Sequence, residues 1–183
     1  MDWLLALARA IDRLNETVGR LVLWLVLLAV LVSAGNAIAR YGFNMSSNAW
    51  LEIQWYLFSA IILLGAGYTL RHNGHVRVDV LYGRFPPRVQ AGVDLVGSLL
   101  FLVPFAALMA WLSWAGFAES YAIGETSADA GGLSRWPIKL AIPLGFGLLG
   151  LQGIAEAIKR LAFLAGRGEL PEAHPHGQPE ERV

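Results

Sequence analysis

The residues able to do chemistry in this 183-residue chain are few and scattered. Four histidines could ligate a metal or a haem iron, but His72 and His75 share one charged stretch, and His174 and His176 fall in the C-terminal tail. Axial haem ligation needs a histidine inside a helix bundle, and a structural metal needs further ligands close by, so His72 with His75 reads as a solvated loop pair. Serines and acids are present, yet no nucleophile with an adjacent base, no Gly-rich phosphate loop after a strand and no paired carboxylates can be assembled from the order of residues. There is no cysteine, which removes disulfides and thiolate metal sites. Catalytic, substrate-binding and metal residues are therefore not expected, nor is a cofactor.

Two acids stand apart because they border long apolar runs. Asp94 sits in the first turn of one run, where a carboxylate complements the helix dipole and stays near water, so it reads as a capping or interface acid. Glu52 borders another. Arg40 ends the preceding run and the turn Tyr41 to Asn48 is short, so Arg40 and Glu52 are expected to meet at similar depth and pin a hairpin.

The elements that must position these groups are membrane spans. The chain is 56% hydrophobic and only 15% charged, with seven Trp, a composition that a water-soluble domain does not have. Leu21 to Ala39 is nineteen residues without a charge, which at 1.5 Å per residue reaches roughly 28 Å, enough for a hydrocarbon core. Ile53 to Leu70 and Leu95 to Ala118 are likewise uncharged, and Leu140 to Ala155 reaches full length if Trp136 and Pro137 begin it and Lys159 and Arg160 snorkel at its far end. The expected spans are about 20–40, 48–70, 91–118 and 136–160, together a four-helix membrane domain over 20–165. Pro104 and Pro143 lie inside the third and fourth, where each predicts a kink.

Leu4, Leu7, Ile11, Leu14 and Val18 recur at spacings of three and four, so residues 1–19 are expected to form an amphipathic surface helix lying on the membrane. Ala37-Ile38-Ala39 imitates a signal-peptide cleavage site, but the preceding segment is long and electrically balanced, and an uncleaved helix fits better. Residues 166–183, rich in Pro, Glu and His, read as a disordered cytoplasmic tail. Eleven Lys and Arg fall on the side of the two termini and the middle loop, against Arg40, Arg135 and Lys139 on the other, so both termini should be cytoplasmic. The formal net charge is zero without a long basic run, so nucleic acid is not a partner. The fold class is an all-α membrane protein.

The informative stretch runs from Asn36 to Tyr82: Asn36-x-x-x-Arg40-Tyr41, Trp50-Leu51-Glu52-Ile53-Gln54-Trp55, Leu63-Leu64-Gly65-Ala66-Gly67-Tyr68-Thr69-Leu70-Arg71 and His75-Val76-Arg77-Val78-Asp79. In order and spacing it resembles the small membrane subunit, of the DctQ type, of tripartite ATP-independent periplasmic (TRAP) transporters. The resemblance covers roughly residues 15 to 165. Gly131-Gly132-Leu133 through Trp136-Pro137-x-Lys139 and Leu151-Gln152-Gly153 are similar to a subgroup loosely labelled for carboxylate or mannitol/chloroaromatic uptake. Ile53 is a departure, since many relatives carry a second acid there.

The resemblance implies a division of labour in the bacterial inner membrane. A large membrane subunit would carry the substrate and sodium sites, a soluble periplasmic protein would capture the substrate, and this chain would brace the large subunit among membrane phospholipid. Arg40, Trp50, Glu52, Gly65, Gly67, Arg71, His75, Arg77 and Asp79 become the candidate subunit-contact or structural residues. Gly65, Ala66 and Gly67 allow close helix approach, equally to a partner or within the chain. Two other classes are weighed: an autonomous four-helix exporter, for which Glu52 is the one candidate carboxylate, and the membrane anchor of a redox complex, which lacks an intramembrane histidine.

Overall fold

A computed structural model describes residues 1–45, 47–75 and 82–167. Arg77, Asp79 and residues 168–183 of the expected tail lie outside the described residues. The described chain is all-helical, with α1 over Asp2–Phe43, α2 over Asn48–Arg71, α3 over Pro87–Ala122 and α4 over Trp136–Leu164, and all four are long and apolar enough to cross a membrane.

The helices begin and end where local chemistry requires. Asn44 closes α1 in the left-handed conformation that Asn tolerates, with the Met45 N–H returning to the Ala39 carbonyl at 3.0 Å. Pro87 and Pro137 stand in the first turns of α3 and α4, where a missing N–H is harmless. Gly166 takes a positive φ of 70°, and the Arg167 N–H returns to the Ala162 carbonyl to finish α4.

One expectation changes here. Residues 2–19 do not form a separate surface helix but continue into the first span as one 42-residue helix. Ala8 and Ile11 of this segment pack with Ala155 and Ile158 of α4, while Leu7 and Leu14 on the adjoining side stay exposed, so the segment is held to the bundle along one edge. At Pro104 the response is a wider turn, with Ser98–Leu102 adopting π-helical geometry immediately before it. A proline ring clashes with the carbonyl four residues back, here Leu100, and the wide turn moves that carbonyl away. α4 continues through Pro143.

α4 is the hub and packs against α1, α2 and α3. Small residues allow the contact: a Cβ at Gly145 would stand 2.6 Å from the Leu63 carbonyl oxygen of α2, and one at Gly153 would stand 2.9 Å from Leu102 of α3. The opposite faces are apolar and bare, with Trp24, Ile62, Phe101 and Trp111 all at least 70% exposed, as lipid-facing or partner-facing helices require.

Candidate functional site

The polar groups collect at the two ends of the bundle. At the end opposite the termini, α2 opens with Asn48, Glu52, Trp55 and Tyr56, which hold the connection between α3 and α4. Glu52 is 3% exposed. Its carboxylate accepts the Ser127 hydroxyl and, at 2.6 Å, the Leu133 backbone N–H. Arg135 lies 3.8 Å from the same carboxylate, donates to Ser127 Oγ at 3.1 Å and stacks over the Trp55 ring. Asn48 donates to the Ala130 carbonyl and the Tyr56 hydroxyl to the Ser134 carbonyl. Gly132 makes room for this closure, since a Cβ there would collide with Ser127 and stand 2.9 Å from Glu52 Oε1. The connection is thus a folded strap, closed by the Thr126–Ser134 bridge and seated on the Glu52 carboxylate.

The expected pairing of Arg40 with Glu52 is not formed. Arg40 is exposed at the end of α1 and has no polar partner among the described residues, whereas the strap fills the hydrogen-bonding capacity of Glu52. Beside the strap, Lys139 hydrogen-bonds Glu125. That bond, with help from the charges of Lys139 and Arg135, holds the Glu125 carboxyl below its ordinary value.

At the end bearing the termini, a polar belt joins all four helices. Arg71 donates to Glu16 at 2.7 Å and to the Asp12 carbonyl at 2.8 Å, and the His72 ring lies 3.0 Å from Glu16. Gln152, wholly buried, accepts from Asn15 at 3.0 Å and donates to Asp12 at 2.7 Å and to Glu156 at 3.1 Å. Lys159 bridges Asp12 and Glu156, at 3.2 and 2.5 Å. Arg160, 7% exposed, pairs with Asp94 at 3.2 Å. Lys159 and Arg160 therefore do not snorkel: acids on α1 and α3 hold them inside the bundle.

Of the candidate residues, Glu52 and Arg71 each sit in one of these clusters. Gly67 is buried at the crossing of α1, α2 and α4, against the Asn15 side chain and the Leu148 carbonyl, and Gly65 makes ordinary contact with Val22. Trp50 is 44% exposed and His75 is exposed, apart from either cluster. Sequence reasoning missed Asn15, Ser127, Leu133, Arg135, Gln152 and Glu156. The available signal was Gln152, Glu156 and Arg160 at four-residue spacing, a polar stripe on an otherwise apolar helix.

Comparison with known proteins places this architecture. Residues 29–163 match the family described as tripartite ATP-independent periplasmic transporters, DctQ component. The chain is 30% identical over 152 residues to the ectoine TRAP transporter small permease protein TeaB of Halomonas elongata, covering 82% of this chain and 78% of that one. It is 33% identical over 107 residues to the C4-dicarboxylate TRAP transporter small permease protein DctQ of Pseudomonas aeruginosa, covering 57% of this chain and 50% of that one. Identity to a TRAP transporter small permease protein of Haemophilus influenzae is 37% over 79 residues, 43% of this chain and 48% of the relative. The chain thus spans about half the length of two of these relatives. No solved structure matches it. These relatives are transporter subunits and not enzymes, and with four apolar helices the chain is a multi-pass protein of the bacterial inner membrane. It belongs to the DctQ family, the small permease subunits of TRAP transporters.

Proposed function

We propose that this chain is the non-transporting brace of its complex, supporting a large membrane subunit that carries substrate and sodium while a periplasmic binding protein delivers an organic acid. The observation that carries the reading is the fate of the buried charges. Glu52, Glu156 and Arg160 are the charged side chains buried among the described residues, and each is engaged within the chain itself. A transported ion or solute needs ligands that are free to receive it, near the middle of the membrane. Here the charges lock helices together at the two ends, and the apolar outer faces suit contact with another helical subunit.

An autonomous exporter would use the Glu52 carboxylate, which the strap occupies. The carboxylate substrate class rests on the C4-dicarboxylate relative. The polar belt and both termini would face the cytoplasm, and the Glu52 strap would face the periplasm. The test is reconstitution: proteoliposomes with this chain alone take up no solute under a sodium gradient, and uptake appears when the large subunit and binding protein are added. Sodium-driven uptake by the chain alone would sink the reading.

A further inference from the structure

Beside the Asp94–Arg160 pair the bundle is not closed. A recess of about 420 Å³, within the range of small-ligand sites, opens between the end of α2, the first half of α3 and the last turns of α4. Its character changes along α3. Asp94 lies near the helix start, and Leu102 lies two turns further on, about 12 Å toward the middle of the membrane. Arg160 stands at the charged end, with Glu156 one turn deeper on α4. Leu70, Val93 and Leu102 supply apolar wall. Gly97 leaves space between the two, since no atom lies within 4 Å of where its Cβ would stand. The π-helical turn Ser98–Leu102 forms part of the wall, and such turns gather at functional sites.

The electrostatics select the occupant. Arg160 is more than nine-tenths buried, and its Nε has no hydrogen-bond partner although a guanidinium offers five donor hydrogens. An unsatisfied buried donor on a charged group is unfavourable, so an acceptor is wanted there. Two carboxylates also line the recess, Asp94 against Arg160 and Glu156 against Lys159, so an anion seated on the guanidinium has acidic oxygens beside it. A ligand with both an anionic oxygen and a cationic nitrogen satisfies both sides. With the polar belt at the cytoplasmic surface, as proposed above, the recess would open at the headgroup layer, with Leu102 as its deeper apolar wall. We propose that it binds the headgroup of an ammonium-bearing phospholipid, with phosphate oxygen on Arg160, ammonium toward Asp94 and Glu156, and an acyl chain along Leu102.

The test uses the full chain, purified and stripped of lipid, with melting temperature and native mass spectrometry as readouts. Phosphatidylethanolamine should raise the melting temperature and remain as one bound lipid, while phosphatidylglycerol and free phosphoethanolamine should do neither. Gly97→Leu fills the recess without touching the ion pair and should abolish the retained lipid and the shift. Equal stabilisation by phosphatidylglycerol would overturn the proposed charge selection, and the same effect from free phosphoethanolamine would make the ligand a solute. An unchanged response in folded Gly97→Leu would remove the recess as the site. The comparison of lipids on the unaltered chain decides the matter even where that variant does not fold.

Discussion

The Glu52 carboxylate accepts the Leu133 N–H at 2.6 Å across 81 residues of chain, and in doing so it turns away from Arg40, the nearer cation in sequence. One backbone N–H and a hydroxyl, with Arg135 behind them, form a fixed cradle that a single long side chain at the rim of another helix cannot match. Glu52→Ala should therefore lower the melting temperature of the purified chain, and Arg40→Ala should leave it nearly unchanged. A double-mutant cycle separates the partners: Glu52 with Ser127 should show coupling, and Glu52 with Arg40 should be additive. Coupling to Arg40 of equal size would refute the strap as the main partner.

Gly67 is the tightest crossing of α2. A Cβ there would overlap the Asn15 side chain and stand 3.2 Å from the Leu148 carbonyl oxygen. Gly67→Ala should destabilise the chain by about 1–3 kcal/mol, the scale of overpacking in a filled interior. Gly116 of α3 has nothing within 4 Å of a Cβ position, so Gly116→Ala should gain stability, up to about 1 kcal/mol from helix propensity. Chemical or thermal unfolding in detergent measures both.

Glu125 contributes to the acid sensitivity of the strap. The Lys139 hydrogen bond keeps its carboxyl below the ordinary 4.5, so the folded strap binds fewer protons than the unfolded one. The stabilisation is present above the unfolded value and is lost as pH falls through the lower, folded value. The hydrogen-exchange protection of residues 123–135, taken relative to the intrinsic rate at each pH, should fall on that descent. Lys139→Met should weaken the dependence, and a strap that loosens on raising the pH instead would contradict the assignment.

The distribution of Lys and Arg sets the expected orientation. A cysteine at Arg84, in the connection between α2 and α3, should be shielded from an impermeant periplasmic thiol reagent, and one at Ala128, exposed on the strap, should react. The reverse pattern would invert the bundle.

What was legible in the sequence follows from what is local. Uncharged runs give the spans, and Trp136 with Pro137 marks the start of the fourth. Periodicity also identified apolar positions among residues 4–18, but not that Ala8 and Ile11 meet a neighbouring helix while Leu7 and Leu14 stay exposed, because lipid and a neighbouring helix look alike to an alternation of residue types. The partner of Glu52 was out of reach for a different reason. It is chiefly a backbone N–H, which every residue but proline possesses, presented by a strap whose path depends on Gly131 and Gly132. Lys159 and Arg160 resembled snorkelling termini until Asp12 and Asp94 were placed opposite them by the packing of α1 and α3 on α4.

α4 and the residue that precedes it supply a cation to each of the other helices: Arg135 toward Glu52 of α2, Lys159 to Asp12 of α1 and Arg160 to Asp94 of α3. Synthesis runs from the N-terminus, so the three acids leave the ribosome and reach the bilayer before any of these counter-charges has been made. During that interval Asp12, Glu52 and Asp94 are without these counter-charges. The arrival of α4 ends that interval for all three together, so that one late segment supplies the closing charges of the whole bundle.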